Sequence, residues 1–238
     1  MSFLKKKKIG ILILSRFFSK RLKNKAALKI NNLTIIEILI ERLLKITNRQ
    51  NIIICTSKFN NNVTFYRKLS KKYKIKIFFG RELNVLNRII KCLEKFNLKH
   101  FVRATGDNPF IETRSILPMC AKHIKNKCDY TFNKSLPRGT RVEVFSLNAL
   151  KKNYKKIIDL NSTEYLSYFF LRKDLYKIQK INFRKYYSNQ ELLSASIDSK
   201  KDLSIIQDFF KKNNIHDFKQ KELIFFLKKR KKTKKKNF

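Results

Sequence analysis

Glycine and proline are scarce in this chain, with four and three among 238 residues. No Gly/Ser/Pro-rich linker can be drawn through it, so the sequence reads as one domain. No G-x-x-x-x-G-K-[ST] motif occurs, which excludes a P-loop. The four cysteines, Cys55, Cys92, Cys120 and Cys128, form no C-x-x-C pair. They read as reduced, buried residues of a cytoplasmic protein rather than a zinc site or a disulfide framework. The three histidines show no ligand spacing. The apolar run Ile9–Leu14 is too short for a signal-peptide core and lacks a small-residue cleavage site. No segment approaches a membrane span, so membrane insertion is not expected. No internal repeat is visible.

Acidic residues are the other shortage. Seventeen Asp and Glu face 57 Lys and Arg, a formal net charge of +40. Taken alone, that charge argues for a polyanionic partner such as RNA, DNA or an acidic membrane. The cations are mostly Lys, spread over the whole chain beside abundant Asn, Ile and Phe, as an AT-rich coding sequence writes any protein. No RNA-recognition signature or basic-aromatic stripe appears, so no specific nucleic acid is expected. Hydrophobic residues at 43% and aromatics at 13% are too many for a disordered chain.

Ile9–Leu14 reads as a buried strand. A basic loop, Ser15–Lys25, follows. Ile35, Ile36, Leu39, Ile40, Leu43 and Leu44 recur at helical spacing behind Thr34, a natural N-cap. Strands are expected at Asn51–Thr56, Lys76–Phe79 and His100–Ala104, with helices from Asn60 through Tyr73 and over Val85–Phe96. This order predicts a parallel sheet with right-handed crossovers. In the second half, Arg114–Lys125 reads as a helix despite Pro118. Asp129–Phe132 and Arg141–Phe145 read as strands around a turn at Ser135–Thr140. Leu147–Ile158 and Thr163–Leu171 read as helices, and Leu175–Asn182 and Leu192–Ile197 as strands. Helices over Lys200–Lys212 and Lys219–Lys229 close the fold. The expected organisation is a single domain over 1–227, with a small lobe near 132–190 and a basic disordered tail over 228–238.

Two segments carry chemistry. Arg103-Ala104-Thr105-Gly106-Asp107-Asn108-Pro109 places a carboxylate just past a strand, where ligands of open α/β sheets bind. Asp107 there is either a turn residue or a metal ligand. Asp198 stands at another strand end before a helix, either as a second metal ligand or as an N-cap. In the first loop Arg16, Arg21 and Lys25 have the chemistry to reach phosphate oxygens.

The loop Ser15-Arg16-Phe17-Phe18-Ser19-Lys20-Arg21-Leu22-Lys23-Asn24-Lys25 resembles the A-R-x-x-S-x-R-L-P-x-K element of the cytidylyltransferases that activate acidic sugars. Those enzymes act on acylneuraminates and on 3-deoxy-manno-octulosonate, and the chain looks closest to the spore-coat polysaccharide branch. Arg103 through Ile111 matches R-x-T-G-D-x-P-x-I, and Gly139–Phe145 matches G-x-x-V-E-V-F. Glu164–Phe169 echoes E-H-V-T-x-Y, and Ile197–Leu203 matches V-D-T-x-x-D-L. The matches run in order from about residue 8 to 210. Phe18, Lys23 and Tyr165 depart from the family pattern.

The resemblance implies an α/β fold of the nucleotide-diphospho-sugar transferase (GT-A-like) kind, with a mostly parallel central sheet flanked by helices. It implies a Mg²⁺-dependent transfer of CMP from CTP to an acidic sugar, in surface polysaccharide or glycoconjugate synthesis. Ser15, Arg16, Ser19, Arg21, Lys25, Arg103 and Gly106 would surround the nucleotide. Asp107 and Asp198 would hold Mg²⁺, and Arg16, Arg21, Lys25 and Asp107 would act in catalysis. Asn108, Arg138, Arg141, Glu143 and Glu164 would line the sugar pocket. Relatives of this kind are often dimers, so a homodimer is among the expectations. Three alternatives stay open: another sugar nucleotidyltransferase or glycosyltransferase on the same fold, a copy that has drifted from catalysis, and a basic nucleic-acid-binding protein.

Overall fold

The computed structural model describes residues 2–16, 22, 24–58, 60–155, 166–170, 174–182, 190 and 193–236, with side chains for all of these except 60–62 and 231–236. A short helix α1 (Phe3–Lys6) leads into β1 (Ile9–Leu14). A 3₁₀ turn at Lys25–Ala27 and a hairpin, β2 (Lys29–Ile30) with β3 (Leu33–Thr34), precede α2 (Ile35–Leu44). Then come β4 (Ile52–Ser57), α3 (Asn60–Tyr73), β5 (Lys76–Gly80), α4 (Val85–Lys95) and β6 (His100–Thr105). The second half adds α5 (Thr113–Lys125), β7 (Tyr130–Phe132), β8 (Glu143–Ser146), α6 (Leu147–Tyr154), β9 (Ile178–Lys180), α7 (Lys200–Lys212) and α8 (Gln220–Lys236).

The sheet order is β5-β4-β1-β6-β8-β7-β9. The β5, β4, β1 and β6 strands are parallel, as the alternation of strands and helices predicts. Antiparallel β8 then joins β6 to β7, and β9 runs parallel to β7. From β1 the chain builds outward through β4 and β5, then returns to place β6 on the other side of β1. The carboxyl ends of β1 and β6 therefore flank a topological switch point, where a crevice opens.

Strand periodicity sorts the core. Ile9, Ile11 and Ile13 of β1 face one layer with Ile36, Leu39, Ile40 and Leu43 of α2. Leu12 and Leu14 face the other with Leu86, Ile89 and Leu93 of α4. A third cluster joins Ile35 and Ile38 of α2 to Phe110, Phe209, Phe210 and Phe218. Thr34 caps α2 in a full capping box with Glu37, a device worth about 1 kcal/mol. An interior proline disfavours a helix by ~3 kcal/mol. Around Pro118, burial of Ile116, Met119, Cys120 and His123 on the same helix offsets that cost.

Three elements differ from the sequence reading. Within Leu192–Ile197 the described residues, 193–197, form no strand; Ser194 makes one isolated bridge with Arg138. Leu193, Ala195 and Ile197 do alternate inward, but their neighbour is a turn rather than a strand, so no ladder extends. Within Thr163–Leu171 the described part, Leu166–Phe170, is a 3₁₀ helix. The helix expected to stop at Lys229 continues to Lys236 through the stretch read as a disordered tail. Lysine is a good helix former, and the helix starts from the buried Leu223 and Ile224.

Candidate active site

The crevice at the switch point collects residues from four distant parts of the chain. β1 delivers Ser15 and Arg16, β6 delivers Gly106 and Asp107, the 3₁₀ turn delivers Lys25, and the approach to α7 delivers Asp198. Lys25 is the hub. Its ammonium lies 2.7 Å from Asp198 Oδ1 and 3.8 Å from Asp107 Oδ2. The Lys25 side chain is 6% exposed and each carboxylate 40%. A buried ammonium needs a counter-charge, and the two carboxylates supply it from the solvent side. Asn24 begins the turn in the left-handed region at φ 54°, and Ala26 packs into the core, which fixes where Lys25 points.

Asp198 is not the cap of α7. Ser199 is, in a capping box with Asp202. The Asp198 N–H donates to Asp202 Oδ2 at 3.0 Å, so the backbone at Asp198 is held while its carboxylate meets Lys25. Gly139 anchors the segment upstream. At φ +86°, an added Cβ would come 2.7 Å from Ser196 N. Only glycine lets the 138–140 turn lie against that backbone. The Arg138 N–H donates to Leu193 O and Arg138 O accepts from the Ala195 N–H, at 3.0 and 2.8 Å.

Gly106 performs the same service on the other side. A Cβ there would lie 2.4 Å from Ser15 Oγ and 2.7 Å from Ser15 Cβ. The Gly106 N–H donates to Leu14 O at 2.9 Å. Ser15 Oγ is 2.6 Å from the Tyr66 hydroxyl, whose pKa burial pushes up to about 12. The β1 and β6 ends are thus locked in contact, and Asp107 leaves from a fixed point. Below it, buried Arg42 of α2 donates to the Pro109 carbonyl and stacks over Phe218, 4.1 Å from the ring centroid. Burial lowers this guanidinium to about 10, against the opposing charge of Glu112.

Arg103 and Glu143 face each other across the β6–β8 register. Arg103 Nη1 donates to Glu143 Oε2 at 2.6 Å, and the Tyr130 hydroxyl donates to Oε1 at 2.5 Å. Both Glu143 oxygens are engaged, and together they hold Arg103 and Tyr130. Burial disfavours the Arg103 charge, yet Glu143 raises its pKa. Burial and Glu143 together push the Tyr130 hydroxyl far up, so it stays a donor. Arg103 Nε and Asn108 Oδ1 are buried here without a protein partner.

Of the other expected residues, Arg138 is exposed and Arg141 is half-buried, its Nε donating to Leu136 O at 3.0 Å. Both belong to the loop between β7 and β8, at the same end of the sheet as Asp107. Arg16 is half-buried at the end of β1. Ser19, Arg21 and Glu164 lie outside the described residues, as do Phe18, Lys23 and Tyr165. Further along the sheet edge, a cavity of about 450 Å³ lined by Lys58, Phe79, Gly80, Arg81 and Glu82 opens at the ends of β4 and β5. Arg88 supports it by donating to the carbonyls of Arg81 and Glu82 at 2.7 and 3.2 Å. Sequence reading missed Tyr66, Tyr130, Arg42 and Arg88. The two arginines had one signal, a cation on an otherwise apolar helix face.

Comparisons with known proteins give the family and the fold. A family model described as Cytidylyltransferase matches residues 10–232. An uncharacterized protein of Methanocaldococcus jannaschii is 31% identical over 222 residues, covering 92% of this chain and 89% of the relative. The spore coat polysaccharide biosynthesis protein SpsF of Bacillus subtilis is 25% identical, covering 86% and 87%. A solved cytidylyltransferase structure from Leptospira borgpetersenii superposes with a TM-score of 0.85 at 23% identity, covering 94% of this chain and 95% of the other.

Proposed function

The chain belongs to the cytidylyltransferase family, and we propose that it transfers CMP from CTP to an acidic sugar of the nonulosonate or 3-deoxy-manno-octulosonate type, releasing pyrophosphate. The observation that carries this reading is the convergence of Lys25, Asp107 and Asp198 at the switch-point crevice.

The two carboxylates already meet on one positive charge. Their hard oxygens suit Mg²⁺, which is usually held by one or two carboxylates with phosphate oxygens and water filling the rest. Among the described residues no group of three or more His, Cys, Asp or Glu gathers, so the ion would rest on these two carboxylates with phosphate oxygens and water. Asp107 and Asp198 would hold the ion, which would supply positive charge against the phosphates.

In the reaction the anomeric hydroxyl of the sugar attacks the α-phosphorus of CTP. The new O–P bond forms as the bond to the bridging oxygen of the β-phosphate breaks, and the hydroxyl proton goes to solvent. Catalysis of this kind is mostly positioning and charge stabilisation. Lys25, Arg16 and Arg21 would neutralise the departing pyrophosphate, with Ser15, Ser19 and the Gly106 backbone lining the nucleotide. Arg103, held charged by Glu143, would add positive charge behind the nucleotide. Arg138 and Arg141 would offer guanidinium groups to the sugar carboxylate, with Asn108 beside them, and Glu164, outside the described residues, is assigned to the sugar by the family resemblance alone. The cavity at Lys58–Glu82 gives the nucleotide base room beside the phosphates. The likeness to SpsF supports a role in surface polysaccharide synthesis.

Purified protein with Mg²⁺ and each of CTP, UTP, ATP and GTP, against a panel of acidic sugars, tests the proposal. Pyrophosphate release specific to CTP and one sugar supports it. Release with another nucleotide and a neutral sugar phosphate would replace it with a different nucleotidyltransfer.

A further inference from the structure

Helix α8 changes character along its length. In its first part Leu223 and Ile224 are buried against the Phe209–Phe210–Phe218 cluster, with Phe226 and Leu227 packed on its edge. Arg230 is tied back to the body. Its guanidinium lies 5.6 Å from the Phe226 ring centroid and 3.4 Å from Asp208 Oδ2. The backbone then continues as helix to Lys236. From Lys228 to Lys236 every residue but Thr233 is Lys or Arg, and no acidic residue follows Glu222. That density sets the segment apart from the dispersed lysines elsewhere. Like charges three and four apart on a helix repel, so this stretch gains order when an anionic surface neutralises it.

The outward face adds a second feature. Phe225 is 70% exposed, the highest value among the exposed large hydrophobics. Lys221, Lys228 and Lys229 stand four before, three after and four after it, all exposed, on the same side of the helix. Glu222, exposed and three before Phe225, shares that side, its Oε2 accepting from the Lys219 N–H at 2.8 Å; three lysines and one carboxylate around an aromatic ring keep the basic-aromatic composition of a helix lying in a membrane interface.

We propose that the outward face of α8 docks on an anionic phospholipid surface. Phe225 enters the boundary between headgroups and acyl chains, and Lys221, Lys228 and Lys229 face the lipid phosphates. Lysines rather than arginine forks, and one aromatic rather than successive stacking platforms, favour lipid over nucleic acid. The contact is peripheral, since no helix among the described residues is long and apolar enough to cross a membrane. It does not depend on the activity proposed above.

The test is co-sedimentation of the full chain with vesicles of phosphatidylcholine alone or with added phosphatidylglycerol. Each basic residue near an anionic leaflet contributes roughly fivefold in affinity. Binding should require phosphatidylglycerol, weaken with salt, fall at least tenfold in Lys221→Glu/Lys228→Glu, and fall again in Phe225→Ser. Reversal of two exposed lysines of α1, Lys5→Glu/Lys6→Glu, makes the same charge change and should leave most binding intact. Failure to bind anionic vesicles overturns the proposal. So does an equal loss in the α1 variant, which would assign binding to overall charge. A short RNA that displaces the vesicles and loses affinity in the same α8 variants would make nucleic acid the partner and overturn it as well.

Discussion

Lys25 and Asp198, 173 positions apart in the chain, meet at 2.7 Å between Nζ and Oδ1. Asp107 completes the contact at 3.8 Å. The burial belongs to the lysine and the exposure to the carboxylates, so the positive charge forms the floor of the crevice and the oxygens form its rim. A polyanionic triphosphate arriving from solvent meets the rim first. Divalent cations are therefore expected to be needed for its binding.

Replacing Lys25 with Met removes that floor charge while keeping its length. Loss of one electrostatic stabiliser of a transition state typically costs about 10²–10³ in kcat. Steady-state pyrophosphate release in Lys25→Met should fall by that order. A variant turning over like the wild type would remove Lys25 from the chemistry.

Gly106→Ala should destabilise the protein by about 1–3 kcal/mol, the usual cost of overpacking. Its new Cβ would fall 2.4 Å from Ser15 Oγ and 2.7 Å from Ser15 Cβ. Because the Cβ contact is also close, Ser15→Ala should rescue little and Ser15→Gly more. Urea denaturation of the single and double variants reads this directly, and equal rescue by both would show that the hydroxyl alone sets the fit.

Glu143→Gln leaves the Arg103 guanidinium without its counter-charge. Hydrogen bonds to charged groups contribute about 1.5–3 kcal/mol, and the pair is 27% and 16% exposed, so the loss should fall near the lower end. Chemical denaturation checks it, and an unchanged midpoint would mean water replaces Glu143 at no cost.

The acid response should carry a mark of His123. Its Nε2 is 3.1 Å from His100 Nδ1, and its Nδ1 is 2.8 Å from Thr131 Oγ1. Burial first, then His100, lowers it from 6.5 to about 3. Unfolded chains therefore bind the proton that the folded one refuses. This contribution is complete above pH 6.5 and declines as the pH falls toward 3. One such group gives a slope of about 1 kcal/mol per pH unit. His123→Asn should be less stable at pH 7 but lose less between pH 7 and 5. Parallel curves for the two proteins would rule out the imidazole as the cause.

Much of the fold was legible because its signals are local. The Thr34 cap, the apolar spacing of α2, and the short runs Ile9–Leu14 and Asn51–Thr56 need no distant partner to be read. Gly106-Asp107 was legible for a different reason, since a glycine and a carboxylate past a strand are rare company in a chain with four glycines. Partner choice was not legible. Nothing in the sequence says that Glu143 turns to Arg103 and Tyr130, or that Tyr66 reaches Ser15 from α3. The stretch Leu192–Ile197 alternates like a strand but finds only the Arg138 turn beside it. Such outcomes depend on tertiary neighbours that sequence spacing does not encode.

The most direct measurement is pyrophosphate release by Asp107→Asn beside the wild type, with CTP, Mg²⁺ and the sugar the panel identifies, after matched thermal melts. Asparagine keeps the shape of the side chain and removes its charge. We predict a fall in kcat of about 100-fold or more with the melting temperature nearly unchanged. Full turnover in a folded Asp107→Asn would contradict the assignment of the Lys25–Asp107–Asp198 cluster as the reaction centre.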